Sequence, residues 1–308
     1  MINNGKSSSL TALVSGATGY VGSHLARRLS ANGWKVHVIA RNGSNLTMLH
    51  QARDSITVHR HDGSTESMFA IMEQAAPDVV FHLASFAPIP HTPAHIVPML
   101  HSNIVFGTQL VEAMIATGVH RFINTGTFSQ HYDNVFYSPA SLYDATKQAF
   151  KDILTFYTET TALQAITLEL HDIYGPGDSR PAIIPILQKA ASEQKPVAMT
   201  LGEQLVDMVY IDDIADAYEL AAVRLFTRQE VKDEVYSVSS QNPIRLKDLV
   251  EVFENVTGCR LTVQWGAQSY LSREIIVPWT KGKNLPGWRA KVSLEEGIKK
   301  ATAAAPEY

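Results

Sequence analysis

Seven residues near the N-terminus constrain the fold more than any other feature. Gly16-Ala17-Thr18-Gly19-Tyr20-Val21-Gly22 follows a short apolar run, Leu10–Ser15, and opens an amphipathic pattern through Val21, Leu25 and Leu29. A strand, a glycine loop and a helix start form the setting that holds a dinucleotide. Gly16 permits the tight turn, Gly19 lets the backbone approach a pyrophosphate, and Gly22 lets the helix pack close to the sheet. Amides at the helix start face the phosphates, and the helix dipole favours their charge. Cofactor contacts are therefore expected from Gly16, Thr18, Gly19, Tyr20, Val21 and Gly22. A purely structural glycine turn is the alternative.

The rest of the chain continues the alternation that this unit begins. Apolar runs at Lys35–Ala40, Ile56–His59, Asp78–Leu83, Arg121–Asn124 and Ala165–Leu170 read as strands. Helical patterns lie between them near Leu46–Ala52, Glu66–Ala75, Ala94–Ala116 and Leu142–Thr160, and Asn32-Gly33 closes the first helix. Strands alternating with helices give a parallel sheet covered on both faces. The expected class is therefore α/β, a doubly wound parallel Rossmann sheet. After Ile173 the pattern changes. Gly175-Pro176-Gly177 breaks the chain, a helix follows at Pro181–Ala191, and Met208–Ile211 and Val235–Val238 read as strands that return to the main sheet. We expect residues 1–173 plus about 207–238 to form the dinucleotide domain. Residues 174–206 plus 239–308 are expected to form a smaller α/β substrate lobe over the carboxyl edge of the sheet.

The end of the second strand tests which cofactor fits. A site for NAD usually places Asp or Glu there, on the ribose 2′-hydroxyl. Here the strand ends Val38-Ile39-Ala40-Arg41-Asn42, with Ser44 close behind and no acid. The planar fork of Arg41 pairs with a 2′-phosphate, so NADP(H) is the expected cofactor. A hydrogen bond to a charged group contributes on the order of 1.5–3 kcal/mol. Asp62-Gly63, after the third strand, is placed either to hold the adenine edge or to form a plain Asx turn.

Tyr143 and Lys147 stand one helical turn apart at the start of the helix Leu142–Thr160, so they share a face. A free tyrosine titrates near pH 10, and a nearby ammonium is expected to lower that value. The phenol then exchanges a proton with a carbonyl or alcohol oxygen, while Lys147 also reaches the cofactor ribose. Thr127, after the fifth strand, is the expected third group on that oxygen, with Thr125 as second choice.

Taken together, Gly16–Gly22, His82-Leu83-Ala84-Ser85, Asn103 with Gly107-Thr108, Thr125-Gly126-Thr127, Tyr143/Lys147, Tyr174-Gly175-Pro176-Gly177 and Tyr210-Ile211-Asp212-Asp213 resemble the extended short-chain dehydrogenase/reductase family, in its nucleotide-sugar epimerase/dehydratase group. The likeness covers nearly the whole chain. It implies a Ser/Thr–Tyr–Lys triad of Thr127, Tyr143 and Lys147. It further implies cofactor contacts from Leu83, Ala84, Ser85 and Asn103, a nucleotide-sugar substrate, and a homodimer. Phe86, Ala87 and Pro88 are expected on the nicotinamide side, and Asp172 matches a position facing the sugar. Within the group, the stretch from Tyr143 to Gly202-Glu203-Gln204-Leu205-Val206-Asp207, and the run Pro278-Trp279-Thr280-Lys281-Gly282, are similar to the CDP-abequose and CDP-paratose synthase type, reductases of 4-keto-6-deoxyhexoses.

Two departures bear on the reaction. The 4,6-dehydratases of the group carry Asp-Glu directly after the triad Thr, where Phe128-Ser129 stands here. Many members carry Arg before the Asp that matches Asp207, where Val206 stands here. The substrate diphosphate then needs other cations, and Arg180 and Arg273 are the candidates.

Composition removes other classes. The net charge is −4 with 12 histidines and a single cysteine, Cys259. A nucleic-acid binder usually shows a basic excess. No apolar run is long enough for a membrane span, and Met1–Ser9 lacks the apolar core of a signal peptide. A cytoplasmic location is expected. Cys259 is expected as a small buried hydrophobe. No metal is expected, because His59, His61, His91, His95 and His101 lack converging partners. Phe150, Leu154, Phe156 and Tyr157 are placed either in a helix-bundle dimer interface or in ordinary core.

Overall fold

In the computed structural model, residues 9–303 are described; the polar stretch at residues 1–8 lies outside them, as do residues 304–308. The first half builds the sheet: β1 (Thr11–Ser15), α1 (Tyr20–Ala31), β2 (Lys35–Arg41), β3 (Ile56–His61), α2 (Thr65–Ala75), β4 (Val79–His82), α3 (Ile96–Leu100), α4 (Phe106–Ala116), β5 (Arg121–Thr127), α5 (Leu142–Thr160) and β6 (Gln164–Leu170). The second half adds β7 (Asp172–Tyr174), α6 (Ile183–Glu193), β8 (Val197–Met199), β9 (Leu205–Val206), β10 (Met208–Tyr210), α7 (Ile211–Thr227) and β11 (Asp233–Val238). It ends with β12 (Ile244–Arg245), α8 (Leu246–Thr257), β13 (Val263–Trp265) and α9 (Leu294–Thr302).

Seven parallel strands lie in the order β11-β6-β5-β4-β1-β2-β3. Both faces are covered, as a parallel sheet requires. Leu25 and Leu29 of α1 pack with Ile214, Ala217 and Ala221 of α7 on one face. Met68 and Met72 of α2, Leu110 and Met114 of α4, and Phe150 and Leu154 of α5 cover the other. Arg28 of α1 ties the first pair together by binding Asp216 and Glu219 of α7. The strand order reverses between β1 and β4, and ligands bind at that crevice in such sheets.

Three expectations are corrected. Met208–Tyr210 does not return to the main sheet; β10 pairs with β7 in a separate two-stranded sheet, and only β11 returns. The helix expected over Ala94–Ala116 is interrupted, because His101–Val105 forms a π-helical turn between α3 and α4. Cys259 is exposed, just past the left-handed Gly258 that stops α8. The aromatic pattern on α5 divides cleanly. Phe150, Leu154 and Tyr157 are core, while Phe156 is 59% exposed.

A separate apolar cluster forms around Tyr174, Leu187, Met199, Leu249, Phe253 and Ile298. One C-terminal segment reaches back to the sheet. Trp279 stacks on His131 with ring centroids 4.1 Å apart, and Ser237 of the edge strand β11 donates its amide to the Lys283 carbonyl at 2.8 Å. Asn284 bridges to the same Ser237.

Candidate active site

A cavity of about 610 Å³ opens at the β1/β4 reversal. That volume is within the ordinary range for small-molecule sites. Gly16, Thr18 and Gly19 line it from the first loop, Arg41, Asn42 and Ser44 from the end of β2, Asp62 and Gly63 from the end of β3, and Leu83, Ala84 and Ser85 from the end of β4. The glycines divide the work. Gly16 has φ +75°, and a Cβ there would lie 2.5 Å from the Ala84 nitrogen. A Cβ on Gly22 would lie 2.3 Å from the Gly16 carbonyl oxygen, so these two permit close packing. A Cβ on Gly19 would meet nothing nearer than that oxygen at 3.4 Å; its bareness leaves room for a ligand rather than for the protein. The donor set fits a dinucleotide: amides at the start of α1 for the pyrophosphate and a guanidinium beyond β2.

The Tyr20 side chain takes another direction. It is buried in the Tyr174 cluster, with the Arg180 guanidinium 4.7 Å above its ring. Val21 also packs between the apolar clusters. Asp62 accepts from both the amide and the hydroxyl of Ser64, so its carboxylate forms the Asx turn that starts α2. Arg60 holds the loop beyond β2 by donating to the Arg41 carbonyl at 2.9 Å.

Asn103 is buried and fully engaged. Its carbonyl accepts the Phe86 amide at 2.8 Å, and its amide donates to the Phe86 carbonyl and the Thr146 hydroxyl. It therefore fastens the β4 loop to α5. The cavity wall beyond it belongs to residues the sequence did not single out for this role: Ile39, Ala40, His61, Pro98, His101, Ser102, Val105, Phe106 and Gln109. The π-helical turn turns His101, Ser102 and Val105 toward the cavity. Such turns recur at functional sites, and Pro98 precedes this one in the expected helix.

Tyr143 and Lys147 stand on the first turns of α5, whose start is capped by the Ser141 hydroxyl accepting the Asp144 amide. The Lys147 Nζ lies 5.9 Å from the Tyr143 ring centroid. Burial pushes the Tyr143 phenol up to about 12; a hydrogen bond from Ser85 opposes this and the charge of Asp144 adds to it. Burial also takes Lys147 down to about 8. The expected lowering of the phenol is thus corrected: desolvation dominates. At neutral pH the phenol holds its proton and Lys147 is still largely charged.

The two threonines of β5 separate. Thr125 donates to the His82 carbonyl at 2.8 Å and lies 2.6 Å from the Tyr218 hydroxyl, so it is bound inside the fold. The Thr127 hydroxyl lies 2.7 Å from the Ser129 hydroxyl, which in turn donates to the buried Asp144 carboxylate. His82 is structural, held at 2.8 Å from the Ser15 hydroxyl and driven down to about 3 by burial and by the Lys147 charge.

The candidate substrate residues are dispersed. Phe86 is 37% exposed, and its ring meets His95 edge-on at 5.7 Å. Asp172 is pushed up to about 7 by burial and by the charge of Asp207, with Arg180 opposing. Arg180 donates two bonds to Asp178, both at 2.8 Å, and one to the Ile173 carbonyl at 2.9 Å. Arg273 stacks 4.2 Å over the Tyr132 ring and donates to the Ser138 hydroxyl. Where the dehydratases carry their acid/base pair, Phe128 stacks on His171 and Ser129 is tied to Asp144. Among the described residues no cluster of three His, Cys, Asp or Glu side chains forms a metal site. No helix there is long and apolar enough to cross a membrane.

Comparison with known proteins agrees with this architecture. The chain is 27% identical over 298 residues to a CDP-abequose synthase of Salmonella typhimurium, covering 93% of this chain and 95% of that one. It is 26% identical over 251 residues to a UDP-glucuronate 4-epimerase of Thermodesulfobacterium geofontis, covering 76% and 74%. Among solved structures, a UDP-glucose 4-epimerase of Thermotoga maritima superimposes with a TM-score of 0.82 at 23% identity over 95% of this chain and 97% of that one. A UDP-N-acetylglucosamine 4-epimerase of Methanobrevibacter ruminantium gives 0.85 at 21%, covering 96% and 97%. Residues 12–238 match the NAD dependent epimerase/dehydratase family. With its dinucleotide cavity, this chain belongs to that family, as a pyridine-nucleotide enzyme of the extended short-chain dehydrogenase/reductase type.

Proposed function

We propose that the protein reduces the C4 ketone of a nucleotide-linked 4-keto-6-deoxyhexose, with CDP as the carrier, at the expense of NADPH. The observation that carries the reading is the end of β2. Arg41, Asn42 and Ser44 line the cavity there without a carboxylate, and Arg60 fixes the loop that presents them. A guanidinium in that place favours a 2′-phosphate and a cofactor that arrives reduced and leaves oxidised. The whole-chain likeness to a CDP-abequose synthase supports the sugar class.

Bound NADPH supplies the hydride. The chain supplies the proton and the geometry. Tyr143 faces the substrate oxygen with a phenol that keeps its proton at neutral pH, as a donor to a ketone must. Lys147 keeps a positive charge beside it and reaches the cofactor ribose, and Thr127 holds the same oxygen. Gly16, Thr18, Gly19, Tyr20, Val21 and Gly22 offer the start of α1 to the pyrophosphate. Leu83, Ala84 and Ser85 border the cofactor, and Asn103 positions them. Phe86, Asp172, Arg180 and Arg273 serve the sugar nucleotide. The protein acts as a homodimer through α3 and α5, where Val97, Leu100 and Phe156 are exposed.

The test is NADPH consumption against a panel of nucleotide-linked 4-keto-6-deoxysugars, with the transferable hydride replaced by deuteride. Stoichiometric oxidation with deuterium at C4 of the product is expected. A second reading, C4 epimerisation, is favoured by the likeness to a 4-epimerase. It gives interconversion of two saturated sugars with no net cofactor change, and that result sinks the reductase.

A further inference from the structure

The hydrogen bonds behind Thr127 have a direction, and the direction depends on a buried carboxyl group. Thr127 Oγ1 lies 2.7 Å from Ser129 Oγ, and the Ser129 amide donates to Thr127 Oγ1 at 3.3 Å. Ser129 Oγ is bonded to Asp144 Oδ1, while the Ser141 hydroxyl donates to Asp144 Oδ2 at 2.7 Å. Asp144 is fully buried, at 0% exposure, on the residue next to Tyr143. Each hydroxyl has one hydrogen, so the chain can run only one way at a time.

We propose that Asp144 is a positioning residue that, through Ser129, sets whether the Thr127 hydroxyl donates to the substrate oxygen or accepts from it. As a carboxylate, Asp144 takes the Ser129 hydrogen. Ser129 then takes the Thr127 hydrogen, and Thr127 offers the cleft a lone pair, which suits an alcohol. As a carboxylic acid, Asp144 places its proton on Oδ1 and donates to Ser129, Ser129 donates to Thr127, and Thr127 donates to the cleft, which suits a ketone. No bond to carbon changes; one proton is taken up from water on Asp144 when the chain reverses. Ketone binding is thereby coupled to protonation of Asp144.

The surroundings keep that proton within reach. Burial raises the proton affinity of Asp144, and the bonds from Ser129 and Ser141 lower it in part. From the segment after β5, Asp144 meets the neutral Ser129; from the turn before α5 it meets Ser141. On its own helix the nearest titratable groups are Tyr143, whose phenol feels its charge, and Lys147 one turn on; farther along, Lys151 faces Glu169, Asp152 accepts from Gln148, and Tyr157 donates to Glu112. Charged groups elsewhere on the elements against α5 are engaged with others: Glu169 with His131 and Lys151, and Asp233 with Thr155.

This inference rests on the ketoreductase reading, so its test has one arm without turnover. In the full-length protein, the infrared band of the protonated carboxyl is titrated in wild type, Asp144→Asn and Ser129→Ala. Asp144→Asn should abolish one titrating band. Ser129→Ala should move that band's midpoint to higher pH, because it removes a donor to the charged form. An unmoved midpoint overturns the proposal, even if no 4-keto sugar is turned over. In the second arm, KM for the ketone is followed against pH. In wild type it should rise about tenfold as Asp144 ionises, the scale of one lost hydrogen bond. Both variants should flatten that rise while the kcat still titrates with Tyr143. A pH dependence of KM that survives in Ser129→Ala, whose Asp144–Ser141 cap is intact, also overturns the proposal.

Discussion

The proposed cofactor half and the proposed substrate half of this molecule present their candidate groups in different materials. Around β1, β2 and β4 the cavity offers backbone: glycines without a Cβ, amides at the start of α1, and strand ends presented by the sheet. Beyond Tyr174 the candidate groups are long side chains on loops, and the structure shows them already bound to neighbours, Arg180 to Asp178 and Arg273 to Ser138. Backbone chemistry demands particular residue types at fixed spacing. Side-chain chemistry can be supplied from many positions, so spacing records it poorly.

The largest effect expected lies where the halves meet. Tyr143→Phe keeps the ring and removes the proton, so kcat should fall by about 10²–10⁴-fold while cofactor affinity, read by fluorescence titration, stays nearly constant. Lys147→Ala should lower both. A fully active Tyr143→Phe protein removes the triad from the reaction.

Glycine substitutions sharpen the contrast within the cofactor half. Gly22→Ala drives a methyl group into the Gly16 backbone and should cost about 1–3 kcal/mol in urea unfolding. Gly19→Ala should melt like wild type and lose cofactor, since only ligand space is filled. If both lose stability alike, the division of roles between them is wrong. Next in size, Arg41→Asp should weaken NADPH by about ten- to a hundredfold and NADH far less. Equal wild-type affinity for the two cofactors breaks the 2′-phosphate reading.

For the substrate half the expected effect is smaller. Arg273→Ala should raise KM for the sugar nucleotide several-fold with cofactor affinity unchanged. Arg180→Ala should also lower thermal stability, because Asp178 loses its partner. Activity indifferent to both places the diphosphate elsewhere.

Stability against pH gives the gentlest trend. Burial holds His37 and His171 down near 4 and His82 near 3, against 6.5 unfolded. Above pH 6.5 these groups are neutral in both states. As pH falls below 6.5 the unfolded chain takes up protons that the folded chain refuses, so stability declines until the folded values are passed. Urea midpoints measured from pH 7.5 to 4.5 should stay level down to about pH 6.5 and fall below it. A flat profile means these histidines take up protons in the fold as readily as in the unfolded chain.

The sequence records the sheet and α5 well because period and punctuation act locally. Leu142–Thr160 is bounded as expected, by Ser141 before it and Thr161 after it. It places Arg41 and Asp62 at the cavity because strand ends converge in any doubly wound sheet, and the family resemblance adds Ser85. It misses what depends on distant pairing. β10 leaves the main sheet for β7, and the π-helical turn at His101–Val105 has no periodic signature. The bond from Ser129 to Asp144 joins residues fifteen apart across a strand end and a helix start. The phenol's raised proton affinity is also invisible in one dimension, because it comes from burial and not from the neighbouring lysine.

The segment around Trp279–Asn284 has a consequence for assembly in time. It covers β11, the outer strand of the main sheet, through Ser237 and Lys283, and anchors on His131 through Trp279. A chain leaving the ribosome completes β1 to β6 long before this cover exists. Its outer strand then presents unpaired amides and carbonyls, the kind of surface that pairs with other chains. The nascent protein is therefore exposed to chaperones, and to its own neighbours, until the Trp279–Asn284 segment has been made.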